Sequence, residues 1–297
     1  AGVAGRGVEL GREREADAGV AQAALDRRRL AVDRDAEACA AARRALAEFG
    51  DRVTIVESEY ARVGALMEAR GIPGFDAMLL DLGVSSPQID HAARGFSFVS
   101  DGPLDMRMGR GGGPTAADLV NRLPEKELAD ILYRYGEERN SRRVARRIVH
   151  RRAERPFERT RDLAATIAGA FAPAHGRGRI HPATRSFMAL RIVVNDELGE
   201  LERFLADFPR FLAPRGRLAI ISYHSLEDRI VKARFGDEAR AASNDPWAPI
   251  PVEARRAEPR VTRVTRKPVR PAEDEIARNP RTRSAKLRVV ERLEEPA

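Results

Sequence analysis

The chain has a single cysteine, Cys39, in 297 residues. That excludes a disulfide framework and a cluster of thiolate metal ligands. Lysine is scarce as well: Lys126, Lys232, Lys267 and Lys286 are four of the 53 basic residues. No apolar run approaches the roughly 20 residues of a membrane span. The first residues lack the charged, apolar and small-residue order of a secretory signal. A reducing, cytoplasmic setting without membrane attachment is expected. The histidines at 91, 150, 175, 181 and 224 show no HxxxH spacing, so no metal site is expected. The glycines at 111–113 neither follow a strand nor open a helix, which argues against a phosphate loop.

What is present is a core-forming composition with a strong basic bias. Hydrophobic residues make up 43%, the net charge is +8 and the pI is about 10.3. The arginine excess is partly explicable by GC-rich codons, so clustering carries more information than the total. Residues 139–155 hold eight arginines against one acid, Glu154. Arg139, Arg142, Arg143, Arg146 and Arg147 follow helical i, i+3, i+4, i+7, i+8 spacing and would share one face. Two readings stay open: a solvated helix face, or a stripe contacting the phosphates of a polyanionic partner.

The chain begins its ordered pattern with a short strand at Leu30-Ala31-Val32-Asp33, followed by an alanine-rich helix to about Glu48. A β-branched strand over 53–57, a helix over 60–70 and a third strand over 76–82 come next. This alternation predicts βαβ units and a parallel sheet. Met78, Leu79 and Leu80, running into Asp81, read as a central strand covered on both faces. From 94 to 181 the strand pattern gives way to helices near 115, 124, 139–153 and 161–171, read as a helical insertion. A long helix over 182–211 and a buried strand over 217–223 return to the core. Residues 236–285 read as a surface excursion, and 287–293 as a closing strand.

The densest string is 76–108, DAMLLDLGVSSPQIDHAARGFSFVSDGPLDMRM, where a polar turn leaves the carboxyl end of a strand. Open α/β sheets bind ligands at that edge, and long ordered loops are usually functional. Three further segments accompany it: His181-Pro182-Ala183-Thr184-Arg185 running into Arg191-Ile192-Val193-Val194-Asn195, then 221–232, ISYHSLEDRIVK, and 279–288, NPRTRSAKLR. Together they resemble the bacterial small-subunit ribosomal RNA methyltransferases that methylate N4 of one decoding-site cytosine. The resemblance runs in order from about Leu30 to Arg292.

It implies a Rossmann-like α/β sheet that uses S-adenosylmethionine, with a helical insertion domain. The core would comprise 30–93 and 182–297, and the insertion, 94–181, would recognise RNA. The expected substrate is 16S rRNA within the small ribosomal subunit, and a homodimer is left open. The resemblance places the ribose on Asp33 and an aromatic, Tyr60, beside the adenine. It places Asp81 and Gln88 at the amide and carboxylate end. Arg142, Arg143, Arg146 and Arg147 are the expected RNA contacts.

The chemistry agrees with this assignment. Methylating carbon 5 of cytosine needs a cysteine thiolate, yet Cys39 sits inside a helix without a histidine or proline partner nearby. An exocyclic amine instead needs hydrogen-bond acceptors to orient its delocalised lone pair, and positioning can supply roughly 7–11 kcal/mol at most. Ser85, Ser86 and His224 are the candidate catalytic groups, with a helix cap as the alternative for His224 and Ser225.

Residues 1–29 depart from the family pattern of a strand, an acid and a glycine-rich turn ending in Gly-Gly-His. A frameshifted or misjoined gene start is the expectation here, with a replaced terminus as the alternative. Two rival functions follow: an inactive RNA-binding remnant without the first cofactor loop, or a DNA amino-methyltransferase.

Overall fold

The computed structural model describes residues 28–109, 112–171, 181–240 and 259–294. In chain order its elements begin β1 (Arg29–Asp33), α1 (Ala36–Ala45), β2 (Val53–Glu57), α2 (Val63–Glu68), β3 (Phe75–Asp81) and α3 (Ser86–Asp90). A helical stretch follows: α4 (Ala116–Arg122), α5 (Glu125–Gly136), α6 (Ser141–Arg152), α7 (Thr160–Ala168), α8 (Ala183–Asn195) and α9 (Glu197–Phe211). The chain ends with β4 (Leu212–Ser222), α10 (Ser225–Glu238), β5 (Val261–Arg263), α11 (Glu273–Arg278) and β6 (Lys286–Arg292). The described residues fall into two compact units, one from 28–83 with those from 198 onward and one from those within 84–197.

The first unit is the α/β one. β1 and β2 pair in parallel with Asp33 opposite Glu57, and α1 makes the crossover. Asp35 caps α1 by accepting the Glu37 amide, and its buried Cys39 donates to the Asp33 carbonyl at 3.4 Å. Burial pushes that thiol above its ordinary pKa, the reverse of an activated nucleophile. A second sheet has the order β3-β4-β6-β5, parallel between β3 and β4 and antiparallel elsewhere. Leu80, Leu218, Ile220 and Val290 line its inner face against Leu201, Phe204, Leu205 and Phe208 of α9.

Three expectations change here. β3 is an edge strand of its sheet among the described residues, and Leu79 is 63% exposed rather than covered. Its apolar run of three therefore splits, with Leu80 facing inward and Leu79 outward. The long helix over 182–211 is two helices, broken where Asp196 takes a left-handed φ of 48°. The supposed surface excursion carries the end of α10, then β5 and α11, while 241–258 lie outside the described residues. A strand of three residues is too short to show periodicity.

The second unit is helical, with a core of its own built on Leu104, Leu128, Leu132, Ile148, Phe157 and Ile167. It spans 84–197, wider than the 94–181 expected, because α8 packs with these helices through Phe187, Ala189 and Leu190. In α5, Leu128 and Leu132 repeat at i, i+4, Glu125 and Glu127 occupy the first turn, and Glu137 ends the helix at a left-handed φ of 49°. Gly136 allows the close approach of α8: a Cβ there would lie 2.7 Å from the Arg185 carbonyl oxygen.

Neighbouring residues of α5 provide a test of this packing. Leu132 is fully buried, whereas Tyr133 is 62% exposed. Leu132→Ala is expected to lower unfolding free energy by about 2–5 kcal/mol in a denaturant titration. Tyr133→Ala should stay within about 0.5 kcal/mol. Equal losses would show that the helical core is not packed as described.

Candidate functional site

The parallel register of β3 and β4 sets Asp81 opposite Ile221, and the Leu82 amide donates to the Ile221 carbonyl at 3.0 Å. The chain leaves β4 at Tyr223, whose hydroxyl donates to Asp81 Oδ1 at 2.9 Å. Gly83 turns the chain away from β3 at φ 91°, and a Cβ there would sit 3.6 Å from the Tyr223 ring. Glu227 of α10 is buried and accepts the Tyr223 amide at 2.8 Å and the His224 amide at 3.3 Å. Burial raises the Asp81 carboxyl, the Tyr223 hydrogen bond opposes the rise, and the Glu227 charge adds to it. Burial likewise pushes the Tyr223 phenol well above its ordinary value, helped by the Asp81 charge.

His224 is the N-cap of α10. Its Nδ1 accepts the Glu227 amide at 3.4 Å, while Nε2 lies 3.2 Å from Glu227 Oε1. That second approach is close enough for an ion pair yet too poorly directed for a hydrogen bond. The cap alternative for His224 is thus realised in the fold.

A second cluster lies at the carboxyl ends of β1 and β2. Asp33 Oδ1 accepts the Asp35 amide at 2.8 Å, and burial raises its carboxyl above the ordinary value. Tyr60 begins a 3-10 turn just after β2, with its ring edge-on to Phe204 at 5.7 Å between centroids. Asp33 and Tyr60 therefore come from neighbouring parallel strands. Between them stands Glu200 of α9, 2% exposed, with one oxygen 3.3 Å from Arg34 and the other accepting the Ala61 amide at 3.5 Å.

The polar turn after β3 belongs to the second unit. Ser85 caps α3 in a reciprocal box: its hydroxyl accepts the Gln88 amide at 3.4 Å, and Gln88 Oε1 accepts the Ser85 amide at 3.0 Å. Gln88 is 5% exposed and Ser86 is exposed. The following loop is fixed from several sides. Arg94, buried, donates to the carbonyls of Arg107 and Met108. Asn195 accepts the Met108 amide at 2.7 Å and donates to the Met106 carbonyl at 2.8 Å. Met106 is held at a left-handed φ of 65°, a strained setting for a side-chain-bearing residue. The result presents Asp105 and Arg107, paired through two bonds of 2.9 and 2.8 Å. Burial alone would raise the Asp105 carboxyl, but the Arg107 hydrogen bonds hold it below its ordinary value.

On α6, Val144, Ala145 and Ile148 face the core, while Arg142, Arg143, Arg146 and Arg147 are exposed. Arg142 meets Asp130 at 3.1 Å and Arg146 meets Glu125 at 3.5 Å. Arg151 is spent differently, pairing with Asp162 at 2.9 Å and lying over the Phe157 ring.

Sequence reasoning overlooked Glu200 and Arg34, which act at long range and leave no local pattern. Asn195 lay in a quoted segment, but its bonds to the Met106–Met108 backbone were not legible there. Tyr223 and Glu227 were within reach, since an acid three residues after a polar strand end marks a capping box.

The matching family model is described as the MraW methylase family and covers residues 10–293. It therefore reaches into the first 29 residues, of which 1–27 lie outside the described ones. A protein from Methylobacterium sp. (strain 4-46), named ribosomal RNA small subunit methyltransferase H, is 51% identical over 277 residues, covering 92% of this chain and 80% of its own. A protein of the same name from Geobacter sp. (strain M21) is 49% identical over 266 residues, with coverages of 90% and 85%. The one from Synechococcus sp. (strain CC9605) is 51% identical over 270 residues, with coverages of 90% and 82%.

The Asp81–Tyr223 bond has a measurable signature. A folded-state pKa above the unfolded value means that ionising Asp81, as pH rises through that range, costs stability. Tyr223→Phe removes the bond that favours the carboxylate, so the Asp81 midpoint should move further up in a carboxyl-carbon NMR titration. An unmoved midpoint would mean that the bond does not form in solution.

Proposed function

Because the chain belongs to the MraW methylase family, and is thus a methyltransferase, we propose that it moves a methyl group from S-adenosylmethionine to N4 of a cytosine in the decoding region of 16S rRNA. The observation that carries this reading is the chain-long likeness to proteins named as small-subunit ribosomal RNA methyltransferases, near 50% identity over some nine-tenths of the chain. The basic charge suits such a substrate, and among the described residues no helix is long and apolar enough to cross a membrane. We place the reaction in the cytoplasm, on the small ribosomal subunit.

The residues present fit the nucleoside half of the cofactor. Asp33 offers a half-buried carboxylate at a strand end, suited to a ribose diol, and Tyr60 offers an aromatic ring in the turn after the neighbouring parallel strand. Asp81 stands at the end of β3, with its carboxylate oriented by Tyr223. When bound, S-adenosylmethionine supplies an electrophilic methyl on a sulfonium. Ser85 and Ser86 are the acceptors we assign to orienting the amine, and Gln88 holds the turn that carries them. His224, the N-cap of α10, is the other catalytic group we assign. A target base stacked in a duplex is out of reach, so the cytosine is presented single-stranded or extruded.

Nucleoside mass spectrometry tests the reaction on small subunits from a strain lacking this modification, incubated with the protein and S-adenosylmethionine. N4-methylcytidine is expected. Methyl on carbon 5 or on a 2′-hydroxyl overturns the assignment, and RNA binding without methyl incorporation favours a binding remnant. Preference for duplex DNA in competition favours a DNA enzyme.

The α6 arginines yield a separate expectation. Exposed ion pairs such as Arg142–Asp130 are worth only about 0–1 kcal/mol, so they can yield to phosphates. Replacing Arg142, Arg143, Arg146 and Arg147 with Gln should weaken RNA binding and lower its log–log salt slope by roughly 0.7–0.9 for each phosphate no longer neutralised. An unchanged slope would mean that these arginines form only a solvated face.

A further inference from the structure

We propose that Glu200 is a positioning residue for the nucleoside end of the cofactor site, one buried carboxylate setting both loops that carry Asp33 and Tyr60. The proposal rests on the reading of that site given above. Glu200 is remote in sequence from both loops, 139 residues from Ala61. Its two oxygens divide between them. Oε2 pairs with Arg34, the residue next to Asp33, and Oε1 accepts the amide of Ala61, the residue next to Tyr60. Arg34 then reaches Glu59 at 2.9 Å, on the other side of Tyr60, so guanidinium and carboxylate together bracket the aromatic. One turn further along α9, Phe204 meets the Tyr60 ring edge-on. A single helix face thus holds Tyr60 by its backbone and by its ring.

A carboxylate in this place needs an explanation, because Leu201, Phe204 and Leu205 beside it are all core residues. Burying a charge is costly unless it is paired and hydrogen-bonded, and an apolar residue of similar volume would often serve stability as well or better. Burial does raise the Glu200 carboxyl, and Arg34 and the loop amides oppose the rise. What an apolar residue cannot do is fix the spacing of two strand-end loops through directed bonds. The ribose acceptor and the adenine-flanking ring need that spacing, since one lies on each loop.

The test is calorimetry of S-adenosylmethionine binding to the full chain carrying Glu200→Gln, which keeps the shape and an acceptor oxygen but removes the charge. Affinity should fall on the order of tenfold, the scale of one charge-assisted hydrogen bond. The turnover number at saturating cofactor and the affinity for RNA should stay near those of the unaltered protein. Unchanged cofactor affinity overturns the proposal, as does a joint fall of cofactor affinity, turnover and RNA binding, which would mark general destabilisation. Asp33→Ala and Asp81→Ala are measured alongside. If neither alters affinity, the site reading itself fails, whereas an effect of Asp33→Ala without one of Glu200→Gln removes Glu200 alone. Should Glu200→Gln not fold, Arg34→Gln breaks the same pair from its partly exposed side. A smaller loss of affinity then supports the proposal, and no loss overturns it.

Discussion

The parallel pairing of β3 with β4 is the constraint on which the candidate site depends. It joins residues separated by 142 positions, placing the Tyr223 hydroxyl on the Asp81 carboxylate. Loop-closure entropy grows only slowly with length, so the intervening helical unit weakens the pairing little. The pairing also fixes where the chain leaves each strand, at Gly83 on one side and at Tyr223 and His224 on the other. Glu227 then secures the second exit by accepting two consecutive amides.

Each unit carries its own apolar core, and each uses charge differently. In the α/β unit the informative charges are bonded and withdrawn from water: Glu200 and Glu227 are buried, and Asp228, half-buried, is held below its ordinary pKa by Arg288 and Lys286 despite a desolvation that would raise it. Buried ions of this kind are retained where direction counts, because apolar packing gives comparable stability without orientation. In the helical unit the prominent charges are exposed arginines on α6, some bridged to acids of α5. Such bridges are weak and salt-sensitive, which leaves the guanidinium groups available to a polyanion.

The loop around Met106 belongs to a third category, strain held by surrounding bonds. A buried methionine at positive φ persists because Asn195 binds its carbonyl and the Met108 amide, while the Arg94 carbonyl accepts its amide and the Arg94 side chain donates to the Met108 carbonyl. Sequence motifs near this loop and at Asn195 are therefore two parts of one construction.

Much of this was legible in the amino-acid order. The alternation of short strands and helices specified the α/β class, and the spacing of Arg142, Arg143, Arg146 and Arg147 specified one shared face of α6. Local spacing carries that information, because helix and strand periods are set within a few residues. The capping boxes at Ser85, Thr115 and His224 are equally local. Tertiary structure alone decided that Leu79 is exposed while Leu80 is buried, that the helix over 182–211 breaks at Asp196, and that α8 joins the helical core. It alone brought Glu200 to Arg34 and Ala61, and Tyr223 to Asp81. Those partners lie more than a hundred residues apart, and no local rule encodes which distant group a buried polar atom will meet.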